Sequence, residues 1–508
     1  MNIYVDRYST KSLINDVIAG ARILLLTTPI ALAIAFACGV SPMHGLLSVG
    51  IAAACNAVLG GSKYQVSSIA LSVMIPIIEL QAKYQYKGLL VTSILVAIIL
   101  ATLGTLRMSD TMRHVTRTFL AAITTYTLLL VVISQLQFII GTEAVPAIHG
   151  FKEGCAALYA SFKNLDTQGL KTVLTYLAPM IILKAVMRGS TPYAIYIGGC
   201  AIIAYLVSER ILPELIEIKT IGSKLLDMGA YENIATIAKT VPKQTALADA
   251  LTYAFAIAIV IGTKTCIATN VAASVTGDRK IQYNAELIAT GVANFASAAC
   301  GGLLVAPDIT YSLANISYKS KTVTSVIVVA ALAICAVLYG GDALRYAPIY
   351  CMPGILIVYA VTALAKARLT QYANLSSRES YVFWITLAVA ICFGFIPAVI
   401  VGFTAANMLF AKRMVNIKDA TVRSVKNHDV NVSEFMTNKN GYSGSMGISR
   451  NLLDKIEVIQ VTNALLLNIA EVTEEALSRK GRYPSVIIIY LKNVPYVDGE
   501  GLKALKRL

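Results

Sequence analysis

Two charged side chains stand where an apolar chain rarely keeps them. Lys264 lies inside AFAIAIVIGTKTCIATNVAA, and Asp308 follows a break in NAELIATGVANFASAACGGLLVAPDITYSLANISYKSK, residues 284–321. A Lys at the centre of an apolar span costs about 2.5–3.5 kcal/mol on insertion scales, so Lys264 needs a partner or a cavity. The break at Gly301-Gly302 and Pro307 leaves backbone donors that only protein or a water-filled cavity can satisfy inside a bilayer. A half-helix restarting near Pro307 would aim free N–H groups, with about half a positive charge, into that cavity. The chemistry this permits is the reversible seating of a small anion. Each residue also has a plainer use. Lys264 serves equally as half of a structural ion pair or as a side chain snorkelling to an interface. Asp308 serves as the cap of the restarted helix, a role that stabilises by about 0.5–2 kcal/mol; its sharper reading is as the partner of Lys264 when the site is empty.

The elements that carry these residues must suit a membrane. The 508 residues are 56% hydrophobic and 14% charged, with a mean hydropathy of +0.68, which excludes an ordinary soluble domain and implies an all-α polytopic membrane protein. The net charge of +15 comes from Lys and Arg scattered between apolar runs. Without a basic stripe and interleaved aromatics, no nucleic-acid partner is expected; the charges suit loops and helix ends at a lipid bilayer. The nine cysteines form no CxxC pair and the four histidines lie far apart, so free thiols and no metal are expected. With no Ser-His-Asp arrangement and no GxxxxGKS loop, neither an enzyme nor a cofactor is expected.

Stretches of about 20 apolar residues are long enough to span. They fall at 17–39, 44–59, 88–106, 116–140, 170–187 and 193–212, and, after a polar stretch at 213–243, at 245–275, 286–304, 322–339, 347–365, 381–395 and 397–410. The first is read as a retained helix rather than a cleaved signal, because further apolar runs follow it. Shorter pieces at 64–80 and 308–316 each follow a Gly pair, Gly60-Gly61 and Gly301-Gly302. Placed third in each set, they suggest two repeats of seven segments, inverted because seven is odd. Positive loops holding Arg107, Arg113 and Arg117, Arg279 and Lys280, Lys319 and Lys321, and Lys366, Arg368 and Arg378 then place both termini in the cytoplasm. The expected organisation is a cytoplasmic N-terminal segment at 1–16, a transmembrane domain at 17–412, a linker at 413–455 and a small α/β unit at 456–508. In that unit, 456–461 and 485–491 read as strands and 470–479 and 499–508 as helices. The unit ends earlier than such a sheet normally would.

Several stretches resemble the sulfate permease family of anion transporters, also called SulP or solute carrier 26, over nearly the whole chain. They are DVIAGARILLLTTPIALAIAFACGVSPMHGL, SQLQFIIG, NAELIATGVANFASAACGG and RESYVFWITLAVAICFGFIPAVIVGFTAANMLFAKR. IEVIQVTNALLLNIAE and SVIIIYLKNVPYVDGEGLKAL are similar to the first half of a STAS domain. The resemblance implies about 14 segments in a seven-plus-seven inverted repeat, divided into core and gate domains, with a partial STAS domain behind. It implies a substrate site between the third and tenth elements, at Ser67 and Ser68 and at Asp308, Ile309 and Thr310. It further implies that the eighth helix lines the same cavity with Thr265 and Thr269, which share one face at i, i+4 spacing. The sequence departs from the family where Thr265 replaces a carboxylate, Tyr311 replaces an Arg, and Ser68-Ile69 replaces Gly-Pro. Gly499 and Glu500 follow Asp498, so no phosphorylation switch is expected there.

The function these expectations describe is secondary active transport of a small inorganic anion, such as sulfate, bicarbonate or chloride, or of a small carboxylate, by alternating access. The protein would sit in the cell membrane as a homodimer, with a coupling cation possible. Two alternatives stand beside it. One is a non-transporting membrane scaffold or sensor with a partner-binding tail, favoured by the altered Thr265 and Tyr311. The other is a nucleobase permease of the same architecture.

Overall fold

The computed structural model describes residues 10–109, 112, 117–140, 150–163, 167–187, 191–208, 244–277, 281–340, 346–367, 377–424, 456–460 and 486–490. Long apolar helices dominate, because a helix satisfies its own backbone and can bury every face in protein or lipid. In chain order they are α1 (Thr10–Ala37), α2 (Pro42–Leu59), α3 (Met74–Thr105), α4 (Arg117–Ile140), a short α5 (Phe151–Lys163), α6 (Thr167–Val186) and α7 (Thr191–Ser208). Then come α8 (Gln244–Thr276), α9 (Tyr283–Ala299), α10 (Ile309–Ser317), α11 (Thr324–Tyr339), α12 (Cys351–Ala367), α13 (Ser377–Phe393) and α14 (Phe395–Ser424). Gln85, at φ 57° and ψ −167°, breaks α3 into two limbs. Each repeat therefore has its seven segments: α1, α2, the limbs of α3, α4, α6 and α7, and then α8 to α14.

Three boundaries differ from the expectation. Helix α1 begins at Thr10, inside the supposed N-terminal segment, because Asp16 is buried and accepts hydrogen bonds from Lys321 N (2.8 Å) and Thr322 Oγ1 (2.5 Å) at the start of α11. Helix α5 interrupts what reads as a loop between residues 141 and 169. Helix α14 continues to Ser424, into the expected linker.

The helices form two groups. Helices α2, α3, α8, α9, α10 and α11 pack around the breaks as a core, while α4, α6, α7 and α12 pack on one another as a gate, and α1 touches both. Inside the core the broken elements meet as strands β1 (Ser67–Ile69) and β2 (Val305–Pro307), paired antiparallel with Ser67 opposite Pro307 and Ile69 opposite Val305. Asp308 N to Val66 O and Ala70 N to Leu304 O, both 3.0 Å, extend the ladder at either end. Antiparallel pairing sends the following helices away in opposite directions, so α10 and the first limb of α3 both begin at the crossing. Pro307 lacks an N–H and is tolerated because it ends its strand.

Polar side chains satisfy the remaining backbone of the breaks. Asn294 on α9 mimics a third strand, with Val305 N donating to Oδ1 and Nδ2 donating to Val305 O, both at 2.9 Å. Leu303 N donates to Ser48 Oγ and Ser297 Oγ donates to Leu303 O, both at 2.7 Å. Buried Glu286 accepts from Ser62 N at 2.7 Å and so fixes the turn leading into β1.

A second compact unit holds residues 374–378 and 407–508. In it β3 (Ile456–Gln460) and β4 (Val486–Tyr490) pair in parallel, Ile456 against Val486, as the α/β pattern expects. The two helices expected beside them lie outside the described residues.

Candidate functional site

The crossing of β1 and β2 has the positive end of a helix aimed at it. Asp308 is the N-cap of α10, and its Oδ1 accepts from Thr310 N at 2.9 Å. Its other oxygen, Oδ2, lies 2.9 Å from Lys264 Nζ on α8, the two side chains 20% and 10% exposed. The cap and the ion pair are thus made simultaneously by one carboxylate. The plain reading of Asp308 as a cap and its sharper reading as the partner of Lys264 are therefore not alternatives: both contacts are present. The carboxylate thus sits at the positive end of α10, and Lys264 compensates its charge.

Around this pair the nine residues singled out from the sequence divide into two sets. Asp308, Ile309 and Thr310 are half-buried or exposed, so the start of α10 is open to solvent. Ser67, Ser68, Lys264, Thr265, Thr269 and Tyr311 are buried. Several of these hydroxyls are committed to the scaffold. Asn56 Nδ2 donates to Ser67 Oγ at 2.5 Å. Thr265 Oγ1 donates to Ile261 O at 2.8 Å, and Thr269 Oγ1 donates to Thr265 O at 2.7 Å. Ser67 and Thr265 are therefore tied to the scaffold, whereas Asp308 and Thr310 are accessible and the buried Lys264 reaches Asp308. Ser312 ties the two breaks together, accepting from Val66 N at 3.1 Å and donating to Asp308 O at 2.8 Å.

Sequence reasoning misses three participants. Gln65, just before β1, accepts from Thr269 Oγ1 at 3.4 Å and buries its Nε2 without a partner. Tyr359 on α12 shares a hydrogen bond with the Tyr311 hydroxyl. Tyr193 on α7 packs its ring edge-on to Tyr359 at 6.2 Å. Gln65 carried a weak signal as a polar residue entering a break. The two tyrosines carried none, because an aromatic in an apolar helix reads as packing.

Two helix groups around paired broken elements, with a compensated charge at a helix N-terminus, define the class of a membrane carrier built from inverted repeats. Its family is equally plain: the sulfate permease family profile matches residues 13–387, and the chain belongs to that family. It is an anion transporter of the SulP/SLC26 class, and not an enzyme. A candidate sulfate transporter, YvdB, of Bacillus subtilis (strain 168) is 24% identical over 91% of this chain and 86% of its own length. The bicarbonate transporter BicA of Picosynechococcus sp. is 21% identical over 90% of this chain and 79% of its own. The fold is shared with murine solute carrier 26 family member A9, an anion transporter solved in the inward-facing state. That likeness has a TM-score of 0.66 at 16% identity and covers 99% of this chain and 84% of that one.

Proposed function

We propose that the protein is a secondary active carrier of a small inorganic anion or small carboxylate, which it moves by alternating access. The anion binds at the start of α10, between the third and tenth elements. The observation that carries this reading is the Lys264–Asp308 pair at an open helix N-terminus. The Lys264 and Asp308 charges offset one another, and the helix end contributes about half a positive charge. An arriving anion takes Lys264 as its counter-ion while Asp308 keeps the N–H of Thr310. The core would then carry the loaded site past the gate. The relatives named for sulfate and bicarbonate support the substrate class. The positive loops support cytoplasmic termini in the cell membrane, and the family resemblance supports a homodimer with a STAS unit behind the membrane domain.

The test is uptake of sulfate, bicarbonate and chloride into proteoliposomes. Lys264→Ala should abolish uptake and destabilise the fold, since removing one partner of a buried pair costs about 3–5 kcal/mol. Lys264→Arg should retain part of it, and Lys264→Ala with Asp308→Ala should recover folding without transport. Normal anion affinity in well-folded Lys264→Ala protein would show the pair to be structural and sink this reading.

A further inference from the structure

Between α4 and α6 the gate carries a helix too short to cross a membrane. Helix α5 has 13 residues, FKEGCAALYASFK, where a span needs about 20. At about 100° per residue its side chains sort into three sides. The first is docked. Gly154 is buried, and its carbonyl accepts from Gln137 Nε2 of α4 at 2.8 Å; Ser161, on the same side, is half-buried. The second side is apolar and uncovered. Cys155, Tyr159 and Phe162, at i, i+4 and i+7, are all exposed, Tyr159 by 74% and Phe162 by 52%. The third side carries a cation near each end, Lys152 and Lys163, both exposed and turned about 60–80° from Cys155 on the side away from Gly154. Because the Gly154 side is bonded to α4, the apolar stripe cannot roll inward to find cover.

We infer that α5 lies in the boundary between membrane and water, with the Cys155, Tyr159 and Phe162 stripe entering the acyl region and Lys152 and Lys163 reaching lipid phosphates. An apolar stripe beside a cationic edge is the pattern of a helix that rests in the plane of the interface. A phenol suits that depth, with its ring among acyl chains and its hydroxyl in the headgroups, and the lysine stems can bring their charges up to the same level. The occupant is lipid rather than protein because the stripe continues a surface that lipid must cover. Helix α6 begins at Thr167, is long and apolar enough to span, and leaves Leu170, Leu174, Ile181 and Ile182 exposed. Bonded to α4 through Gln137, α5 then holds that end of the gate at one depth. A core that moves past the gate needs such a fixed reference. That consequence rests on the proposed transport cycle; the placement of α5 does not.

The experiment is tryptophan fluorescence of the full chain in vesicles of phosphatidylcholine and phosphatidylglycerol. Trp384 is the only tryptophan, so in a Trp384→Phe background a tryptophan placed on α5 reports its own surroundings. The variants are Tyr159→Trp and Phe162→Trp, within the stripe, and Ala157→Trp, on the opposite side of the helix. The same substitutions in the otherwise unchanged chain, read by difference, give a second measurement. Tyr159→Trp and Phe162→Trp should emit at shorter wavelength than Ala157→Trp. Lipids brominated on the acyl chain should quench them about twofold or more strongly, as a stripe buried about 5–10 Å into the boundary requires. Aqueous iodide should quench Ala157→Trp alone. Iodide quenching equal at all three positions, with no effect of brominated lipid, would put the stripe in water and overturn the inference. Protection of the stripe from both quenchers would put protein over it, a second copy of this chain if Cys155 then cross-links two chains, and would also overturn it. Equal quenching by brominated lipid at all three positions would sink the whole helix and overturn its sided placement.

Discussion

Asp308 serves two neighbours with its two carboxylate oxygens, and that division can be taken apart. Oδ1 holds the N–H of Thr310 and Oδ2 holds Lys264. Asn caps helices about as well as Asp, so Asp308→Asn should keep α10 in place while removing the charge that competes with substrate for Lys264. The expected outcome is tighter anion binding with slower turnover, because Lys264 then releases its anion to nothing. Binding and flux measured on the same preparation check this; weaker binding in a stable Asp308→Asn protein would mean that the carboxylate itself helps hold the ligand. Lys264 and Asp308 were legible in the sequence because intramembrane charge is expensive and therefore rare. Their mutual contact was legible only as one reading among several, since Lys264 is turned about 100° from Thr265 on the helix and reaches the site by its long stem. Tyr359 and Tyr193 could not be found this way, because a phenol in an apolar run costs little and leaves no mark on hydropathy.

Between elements, the weak points are the two turns that feed the crossing. A Cβ on Gly61 would lie 2.4 Å from Gln282 O, the backbone just before α9, and one on Gly302 would lie 2.3 Å from Ser297 Oγ. Both turns therefore pack where no side chain fits. Gly61→Ala must push main chain against main chain, whereas Gly302→Ala meets the Ser297 and Ser48 hydroxyls, which can give way only by loosening their bonds to Leu303, so both should be damaging and Gly61→Ala the more so. Asn294→Ala would strip both partners from Val305, and each buried backbone group left unsatisfied costs about 1–3 kcal/mol. The expected order of thermal stability in detergent is wild type, then Gly302→Ala, then Gly61→Ala and Asn294→Ala. An Asn294→Ala melting point equal to wild type would show that water replaces the amide. The Gly pairs announced the breaks in the sequence, but the strands between them did not. Three residues are too few to show a period of two, and their pairing joins segments more than 200 residues apart. The bend at Gln85 was hidden for a different reason: a non-Gly residue at positive φ is set by its surroundings and has no composition signature.

Across the whole molecule, the question that charge placement can address is what drives the cycle. A carrier coupled to sodium or protons uses a carboxylate beside its substrate, and Thr265 cannot serve. Two acidic side chains are fully buried among the described residues, Asp16 and Glu286, and each takes a backbone N–H on one oxygen. Asp16 accepts from Lys321 N and Glu286 from Ser62 N, so each holds a turn rather than facing Lys264. Half-buried Glu79, on the first limb of α3, accepts from Tyr253 Oη on α8 at 3.0 Å, and the carboxylate beside Lys264 is Asp308, whose charge Lys264 balances. A cation binding there would have to displace Lys264, and an intramembrane Lys without its partner is costly. Exchange of anions, or their passage down their own gradient, follows as the expected mode. Uptake should therefore persist without sodium or a proton gradient and should accelerate when anion is preloaded on the far side of the membrane. Proteoliposomes with and without internal anion, in sodium and in potassium buffers, make the comparison. Strictly sodium-dependent uptake that survives Asp308→Asn would place the coupling carboxylate elsewhere in the molecule and overturn this account of the site.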